Sequence, residues 1–555
     1  MSLRYFIFVF ISSFIILGCD GKAQDTQNAS SPRIVNIINF IRQVEPRYDG
    51  AFPDEYLYQT VVNQIAQLNE YQLPGTFLLQ YDALINPLYQ TLLKENLSSG
   101  SEVGAWWEIT QPHVEAAGLE WRGRYPWDWH ADIGFATGYS PKEREKLIDV
   151  YMEKFKSIFG KYPSSVGSWF IDAHSLGYMY DKYQITASCN CKDQIGTDGY
   201  TLWGGYWNQA YYPSRKNAYM PAQNKEAQIP VPIFRMLGSD PMYQYDNGVG
   251  GMTQGVISLE PVYRRAGGDE KWVRWFFNSI FEDPALNFNY TQAGQENSFG
   301  WNAMERGLNI QIPILDSLRK ENKIRVESLE TSGKWFRENY EVTPPTSLTT
   351  LTDIQDRGNK TVWFNSRYYR ANLFWQDQTL RFRDIHLFDE RLASDYVDKA
   401  GTSNQCIYTT LPVVDGFLWS SRRERAGLRF MTQNANGEIT ELKMGDPIVS
   451  ERGNSMYIEM NAEGAENAKF NLKFSEDKFT IACDKNIKWF LELKTAEGKT
   501  LPFKSIGKKE IKAVQSNFEY SFVCEKGSIE SSENSEYVFR IQPYKKEIAF
   551  NCKNN

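Results

Sequence analysis

Short apolar runs alternate with helix-like segments from residue 33 to about residue 345, and this alternation constrains the fold more than any other feature of the sequence. Residues 33–41 are almost continuously apolar, which is typical of a fully buried strand, and residues 55–71 carry apolar side chains at helical spacing. Strands that alternate with helices pair in parallel, and seven or eight such units in about 310 residues fit a closed or nearly closed barrel. The sequence therefore predicts an α/β fold with a (β/α)7-type barrel over residues 32–345.

Further strands and one well-marked helix follow the same alternation. The strands are predicted at residues 74–81, 102–108, 166–172, 185–193, 232–240, 286–292 and 324–329. Ser140 and Glu143 form a capping-box pattern that predicts the start of a helix, with Pro141 in its first turn. Gly160 is suited to the end of that helix.

The character of the sequence changes after the Pro-Pro pair at residues 344–345, which marks a boundary. Residues 346–555 contain short apolar stretches separated by turn sequences, such as residues 434–438 and 496–499. We find no long amphipathic helix in this part of the sequence. The pattern predicts a C-terminal antiparallel β-sandwich region.

Residues 1–19 have the features of a bacterial export signal. Arg4 precedes an apolar run over residues 5–17, which is shorter than an ordinary membrane-spanning helix. The run is followed by Cys19 in a sequence that resembles a lipobox, where the signal is cut before the Cys and the Cys is lipidated. We expect residues 1–19 to be a lipoprotein signal peptide, residues 20–31 a flexible tether, and the chain to be a membrane-anchored lipoprotein, periplasmic or on the outer-membrane surface. An uncleaved N-terminal anchor is the alternative.

Charge and cysteine content weigh against several other classes of protein. The net charge of −7 and the pI of about 5.5 argue against a general nucleic-acid binder, which needs a basic face. The cysteines after Cys19 lack the paired C-x-x-C spacing and the His partners of a zinc site. We favour buried thiols, and disulfide pairing among Cys483, Cys524 and Cys552 stays open because an exported protein permits it.

In a parallel barrel the active site lies at the carboxyl ends of the strands, so polar residues just after each predicted strand are the candidates. They are Arg42, Glu45, Glu108, His113, Asp172, His174, Asp240 and Glu296. Three of the four histidines, His113, His130 and His174, fall in one stretch of the chain near these strand ends. Any one of these residues also has a structural explanation, since buried acids and histidines need partners.

Aromatic residues make up 15% of the chain, which either fills a large core or supplies faces that stack on sugar rings. Their placement beside polar residues at the predicted strand ends favours the second explanation. The tryptophans concerned are Trp106 and Trp107 beside Glu108, Trp127 and Trp129 beside His130, and Trp169 beside Asp172. A carbohydrate is therefore the predicted ligand.

Two segments resemble motifs of family-57 glycoside hydrolases. Residues 160–172 are similar to the family's Gly-x-Trp-Leu-x-Glu strand, whose Glu is the nucleophile, with Asp172 in the matching place. Residues 289–301 look like the family's Asp-Gly-Glu-x-Phe-Gly-x-Trp region, which carries the general acid/base, and Glu296 is the best acidic match. The resemblance covers roughly residues 33–340 and implies a catalytic barrel. Each acid here differs from the family's by one methylene.

The sequence also resembles the wider sugar hydrolase and polysaccharide deacetylase superfamily, and over its whole length a lipoprotein family of gut Bacteroidetes. The deacetylase branch holds a divalent metal with an Asp-Asp pair after the first strand and an H-x-x-x-H after the third. Here Arg42 follows the first strand, and Trp106 and Thr110 stand where the two His would fall. The usual metal site is therefore not expected, and a site rebuilt from the three neighbouring histidines stays an alternative.

The sequence thus predicts an exported, lipid-anchored glycoside hydrolase that acts on a poly- or oligosaccharide through paired carboxylates, without a cofactor or metal. Asp172 is the predicted nucleophile or base, Glu296 the acid and Glu108 the reserve carboxylate. The residues predicted to bind the substrate are His113, His130, His174, Asp240, Trp106, Trp107, Trp127, Trp129, Trp169, Arg42 and Glu45. A non-catalytic glycan-binding lipoprotein and a metal-dependent polysaccharide deacetylase are the alternatives.

Overall fold

The structure is a computed structural model of the chain and describes residues 31–46, 54–434, 436–464, 468–532 and 536–554. The predicted signal peptide, the lipidation site at Cys19 and all but the last residue of the predicted tether lie outside the described residues. Within those described ranges, no helix combines the length and the apolar character that crossing a membrane requires.

Strands and helices alternate through the first part of the chain, as predicted. The strands are β1 (Arg33–Ile41), β2 (Thr76–Leu79), β3 (Glu102–Trp106), β4 (Ser165–Gly167), β5 (Ala187–Asn190), β6 (Gln194–Thr197), β7 (Tyr200–Trp203), β8 (Ala210–Tyr211), β9 (Ile233–Arg235), β10 (Asn289–Ala293) and β11 (Arg325–Val326). The helices are α1 (Asp54–Tyr71), α2 (Tyr81–Ile85), α3 (Pro87–Asn96), α4 (Gln111–Ala116), α5 (Pro141–Phe159), α6 (Ala173–Tyr183), α7 (Glu270–Phe281), α8 (Trp301–Lys320) and α9 (Leu329–Asn339).

A parallel, barrel-like sheet forms from strands in the order β10-β1-β2-β3-β4-β5-β9. β1 pairs with β10 in the register that places Val35 opposite Thr291, and with β2 in the register that places Ile38 opposite Thr76. β8 adds an antiparallel strand beside β9, and β11 pairs in parallel with the start of β1.

Side chains bridge the gap between β9 and β10. Gln292 Oε1 accepts a hydrogen bond from the backbone N–H of Leu237 at 2.7 Å, and Gln209 Nε2 donates to Asn289 Oδ1 at 3.0 Å. The barrel is therefore nearly closed, which confirms the predicted α/β architecture.

Side-chain alternation along the strands separates a core inside the barrel from a core between the sheet and its helices. Ile34, Ile38 and Phe40 of β1 belong to the inner core, while Val35 packs with the surrounding helices. Trp106 of β3 lies inside as well, and its indole stacks on Phe40 with ring centroids 3.9 Å apart. Large apolar side chains thus fill the barrel below the carboxyl ends of its strands.

Helix α9 covers the amino-terminal end of the barrel. The backbone N–H of Leu329 donates to Thr76 at the start of β2, and that of Glu330 donates to Glu102 at the start of β3. Leu329 and Phe336 join the inner core. The opposite end, at the carboxyl ends of the strands, is therefore where a ligand has access to the barrel.

The capping-box prediction for α5 is confirmed. The Glu143 carboxylate accepts from the backbone N–H of Ser140 at 2.8 Å, and the helix begins at Pro141. Gly160 follows the last turn with a φ of 76°, which a glycine adopts without strain.

The second part of the chain is built from antiparallel strands. They are β12 (Thr346–Thr350), β13 (Lys360–Asn365), β14 (Tyr369–Gln376), β15 (Thr379–Leu387), β16 (Cys406–Thr409), β17 (Leu411–Asp415), β18 (Gly427–Gln433), β19 (Ile439–Glu441), β20 (Lys443–Met444), β21 (Ile448–Arg452), β22 (Ser455–Glu463), β23 (Lys469–Phe474), β24 (Lys478–Cys483), β25 (Trp489–Lys494), β26 (Phe503–Ile506), β27 (Glu510–Gln515), β28 (Phe518–Lys526), β29 (Ser528–Ser531), β30 (Phe539–Gln542) and β31 (Glu547–Asn551). Two layers of these strands pack face to face, with Phe382 of β15 against Phe479 of β24 and Phe430 of β18 against Phe470 of β23. This confirms the predicted C-terminal β-sandwich region.

One strand of this second part returns to the barrel. β16 pairs in parallel with β7, with Cys406 opposite Tyr200 and Thr409 opposite Trp203, and β7 in turn pairs with β6. The β6–β7 hairpin, which projects from the barrel rim after β5, is thus held by a strand that lies some 200 residues later in the chain.

The cysteines of the described part are buried and free, which confirms the prediction of buried thiols. Cys189 and Cys191 both lie in the inner core. Cys483, Cys524 and Cys552 lie in the core of the β-sandwich without forming a disulfide.

Candidate active site

A cavity of about 200 Å³ opens at the carboxyl ends of the barrel strands, and we call it the site cavity. Its lining residues are Arg42, Trp127, Trp129, Phe135, Trp169, Gln194, Thr197, Asp198, Tyr200, Leu237, Val256, Glu260, Tyr263, Glu296 and Phe299. The set combines carboxylates from three different segments, one guanidinium and several aromatic rings. Such a set suits a polar ligand with flat apolar faces.

Strand periodicity explains how Arg42 reaches this cavity. It follows β1 directly and stands two residues after Phe40, so it shares the inward direction of Phe40 at the top of the barrel. The Arg42 side chain is buried, and its guanidinium stacks over the Trp127 ring at 4.1 Å.

The Arg42 guanidinium forms ion pairs with three carboxylates. Its guanidinium contacts Glu108 at 2.6 Å, Glu296 at 2.9 Å and Glu45 at 3.0 Å. Burial alone would lower the pKa of Arg42, but the surrounding negative charges outweigh burial and hold that pKa well above its usual value. Arg42 therefore stays charged and holds the three carboxylates together beside the site cavity.

Glu296 stands on the loop that follows β10. Gly294 permits this path, since its φ is 93° and a Cβ there would lie 2.3 Å from the carbonyl oxygen of Ile38. The close approach of β10 to β1 brings the Glu296 carboxylate to Arg42, and that guanidinium favours the ionised form of the acid.

Glu260 occupies a different environment in the same cavity. Ser258 Oγ donates to its carboxylate at 2.6 Å and Gln295 Nε2 at 3.3 Å. Burial raises the pKa of Glu260, and the Ser258 hydrogen bond and the positive charge of Lys192 oppose that rise only in part. Burial thus favours the protonated form of Glu260.

Gln295 links the two acids. Its Oε1 accepts from the backbone N–H of Glu296 at 2.9 Å, while its Nε2 donates to Glu260. Because Gln295 is itself fully buried, it joins the Glu260 carboxyl group to the backbone of Glu296, while Arg42 holds the Glu296 carboxylate. Two acids in different environments, one with a pKa raised by burial and one paired with a guanidinium, are the arrangement that acid–base catalysis uses.

Asp172, the predicted nucleophile, does not line the site cavity. It caps α6, accepting from the backbone N–H and the hydroxyl of Ser175 at 2.8 and 2.6 Å, and it pairs with Arg144 at 2.9 Å. The expected strand over 166–172 stops at Gly167, so four residues lie between the strand end and Asp172. Its surroundings are those of a structural acid.

Glu108, the reserve carboxylate, is buried below the cavity. It forms a bidentate pair with Arg42 and accepts from Gln80 Nε2 at 2.6 Å. Glu45 likewise contacts Arg42. Both acids support the guanidinium and do not themselves line the cavity.

The three histidines occupy separate places. His113 stacks on Tyr81 between helices, its Nε2 lies 2.8 Å from the Leu147 carbonyl oxygen, and burial lowers its pKa to about 4. His174 is partly exposed beside Glu145, and His130 lies beside Asp128. Among the residues that the structure describes, no three His, Cys, Asp or Glu side chains are grouped to hold a metal ion.

The predicted aromatic residues fall on both sides of the sheet. Trp127, Trp129 and Trp169 line the site cavity, and Trp106 lies beneath it in the inner core, edge-on to Trp169. Trp107 faces outward and packs against His113 instead.

Asp240 lines a neighbouring cavity, which we call the side cavity. It accepts from the backbone N–H groups of Met242 and Tyr243 and from Trp272 Nε1 at 3.0 Å, and burial raises its pKa to about 6. Its hydrogen bonds hold the segment after β9 against α7.

Sequence reasoning missed Glu260, Asp198 and Tyr263. Glu260 lies in the irregular segment between β9 and α7, and Asp198 lies in the turn between β6 and β7. Neither acid follows a barrel strand, so a search for polar residues directly after the strands does not find them. The sequence signal that could have indicated Glu260 is an acid among mostly apolar residues at 256–262.

Comparison with solved structures shows the class of fold. A protein of Parabacteroides distasonis, described provisionally as a glycoside hydrolase/deacetylase, superposes with a TM-score of 0.54 at 14% identity, covering 69% of this chain and 90% of that one. At this identity the likeness shows the fold alone. The chain therefore shares its fold with that protein over about two thirds of its length.

Other solved structures superpose more loosely. A protein of Mycobacterium smegmatis described provisionally as a polysaccharide deacetylase gives a TM-score of 0.33 at 12% identity, over 57% of this chain and 93% of that one. The 4-alpha-glucanotransferase of Thermococcus litoralis gives 0.23 at 11% identity, over 94% and 99%. No protein-family profile and no curated protein matches the sequence.

Proposed function

We propose that the chain is a glycoside hydrolase that cleaves a poly- or oligosaccharide with Glu260 and Glu296. The observation that carries the proposal is one aromatic-walled cavity lined by two buried acids, Glu260, whose pKa burial raises, and Glu296, whose carboxylate pairs with Arg42. Glycosidic bonds are cleaved by such pairs of carboxyl groups with divided roles.

The roles follow from the two environments. Glu260, whose pKa is raised by burial, donates its proton to the glycosidic oxygen as the leaving sugar departs. Glu296, held ionised beside Arg42, acts at the anomeric carbon, either as the nucleophile or as the base that activates water. This reverses the role that family-57 resemblance gives Glu296, because Arg42 opposes its protonation.

The cavity walls suit a sugar. Trp129 and Trp169 offer partly exposed ring faces on one side, and Tyr263 lies on another. Aromatic faces stack on the apolar face of a pyranose ring, while the carboxylates and Gln194 provide hydrogen-bond acceptors for its hydroxyl groups.

The paired substitutions Glu260→Gln and Glu296→Gln test the proposal. On a glycan that the wild type cleaves, found by screening a panel of poly- and oligosaccharides for reducing ends, we expect each variant to lose about 10²–10⁴-fold in kcat/KM. Glu305→Gln, the same change at an exposed acid on α8, should keep the wild-type rate. Wild-type rates in both cavity variants would remove Glu260 and Glu296 from the mechanism.

A non-catalytic glycan-binding protein is the second candidate. The observation that favours it is the direct ion pair between Arg42 and Glu296, which a reacting carboxylate must loosen. Under this reading no glycan is cleaved by the wild type, and Trp169→Ala lowers glycan affinity measured by calorimetry.

We also propose that the chain is attached to a membrane by a lipid on Cys19, at the periplasmic or outer-membrane surface. The proposal rests on the lipobox-like sequence at residues 16–19. Cys19→Ala should move the protein from the membrane to the soluble fraction of the expressing bacterium and abolish labelling by a radioactive fatty acid. Unchanged fractionation and labelling would contradict the anchor.

A further inference from the structure

The side cavity lies directly beside the site cavity and is larger, at about 610 Å³. Val256 and Tyr263 line both cavities, so the two cavities adjoin along these residues. The site cavity is smaller than the roughly 300–1,000 Å³ of pockets that enclose drug-sized ligands. A glycan whose reacting bond lies there must therefore continue outside it, and the side cavity is the adjoining space.

Three cationic side chains and two acids line the side cavity. The cations are Arg264, Arg265 and Lys271, and the acids are Asp240 and Asp269. Both acids are already engaged: Asp240 binds backbone N–H groups and an indole N–H, and Asp269 caps α7 by accepting from the backbone N–H of Trp272. A ligand entering the cavity therefore meets cations whose charge these acids do not neutralise by direct pairing.

The two arginines stand out from the other arginines near the cleft. Arg42 and Arg235 are buried and form ion pairs with carboxylates. Arg264 and Arg265 are exposed, and within the described part of the chain neither forms a hydrogen bond or an ion pair. Lys271 has only a long contact of 3.8 Å with exposed Asp356. Two adjacent guanidinium groups are thus available to a ligand.

We propose that the side cavity is a subsite for an anionic sugar, which carries a carboxylate or a sulfate toward Arg264 and Arg265. The guanidinium fork suits both groups, because each offers two oxygens to paired N–H donors. Tyr243 and Tyr263, on the cavity wall, supply ring faces for the sugar itself. The proposal rests on the proposed glycosidase function and gives its substrate class as acidic glycans.

Binding to the full chain carrying Glu260→Gln tests the subsite without turnover. The probes are a galacturonate hexamer with its carboxyl-reduced counterpart, and a sulfated galactan oligosaccharide with its desulfated counterpart. We expect at least one anionic probe to bind about tenfold or more tightly than its neutral counterpart, with affinity that falls as salt is raised. The probe pair that shows this preference identifies whether the subsite recognises a carboxylate or a sulfate.

The double variant Arg264→Gln/Arg265→Gln should abolish this preference and leave neutral probes unchanged. Arg423→Gln/Arg452→Gln, which removes the same charge from exposed positions in the second part of the chain, should keep it. Thermal unfolding of each variant checks that the fold is retained. Equal binding of charged and neutral probes, or equal effects of the two double variants, overturns the subsite.

The outcome separates this inference from the function on which it rests. Cleavage of a neutral glycan with no contribution from Arg264 and Arg265 overturns the subsite and leaves the glycosidase proposal in place. Arginine-dependent binding of an anionic probe without cleavage of any glycan overturns the glycosidase and supports the subsite as a binding site.

Discussion

At the scale of single residues, the protonation of Glu260 depends on few neighbours. Burial raises its pKa, and the Ser258 hydrogen bond and the positive charge of Lys192 oppose that rise. Lys192 is itself buried, with its Nζ 3.5 Å from Gln194 Oε1 at the edge of the site cavity. A lysine in this position limits how strongly the acid holds its proton.

Lys192→Met should move the pH dependence of catalysis. Without the positive charge, the pKa of Glu260 rises further, so the acid stays protonated to higher pH. The alkaline limb of the profile of kcat/KM against pH should therefore shift to higher pH, while Lys192→Arg leaves it in place. An alkaline limb that does not move in Lys192→Met would show that Glu260 is not the group titrating there.

At the scale of helices and strands, local patterns predicted most of the barrel. Continuous apolar runs identified β1 and its neighbours, and the capping box identified the start of α5. Alternation along β1 also explains why Arg42, expected at the strand end, reaches the cavity. Of the other predicted site residues that line it, Trp169 and Glu296 lie close behind β4 and β10, whereas Trp127 and Trp129 lie on the long segment between α4 and α5.

Predictions failed to locate residues whose position depends on distant contacts. β4 ends earlier than predicted, at the point where the Ser168 hydroxyl donates to the Trp107 carbonyl oxygen and the Ser168 N–H donates to the Cys189 carbonyl oxygen. Asp172 therefore caps α6 and does not lie at the strand end. Glu260 reaches the cavity because the backbone N–H of Leu259 bonds to the carbonyl oxygens at residues 237 and 238. Hydrogen bonds between such irregular segments leave no periodic pattern in the sequence, so they cannot be predicted from it.

At the scale of the whole molecule, the second part of the chain helps to build the cleft. Arg370 of β14 pairs with Asp193, just before β6, at 2.5 Å and with Asp384 of β15 at 2.8 Å. Beside this pair, Trp207 stacks on Trp363 with ring centroids 3.8 Å apart. The β6–β7 hairpin, which supplies Asp198 and Tyr200 to the site cavity, is thus held from the β-rich side.

Arg370→Met should therefore destabilise the whole molecule. It leaves the Asp384 carboxylate buried without its guanidinium and leaves Asp193 paired with Arg235 alone, and breaking a buried pair in this way costs about 3–5 kcal/mol. Urea unfolding followed by tryptophan fluorescence and by far-UV circular dichroism should show the loss at one shared midpoint, because the contact joins the two parts. Arg274→Met, which removes an exposed pair with Glu270 on α7, should cost less than about 1 kcal/mol. Equal losses in the two variants, or two separated midpoints in the wild type, would contradict the role of Arg370 in coupling the barrel to the β-sandwich.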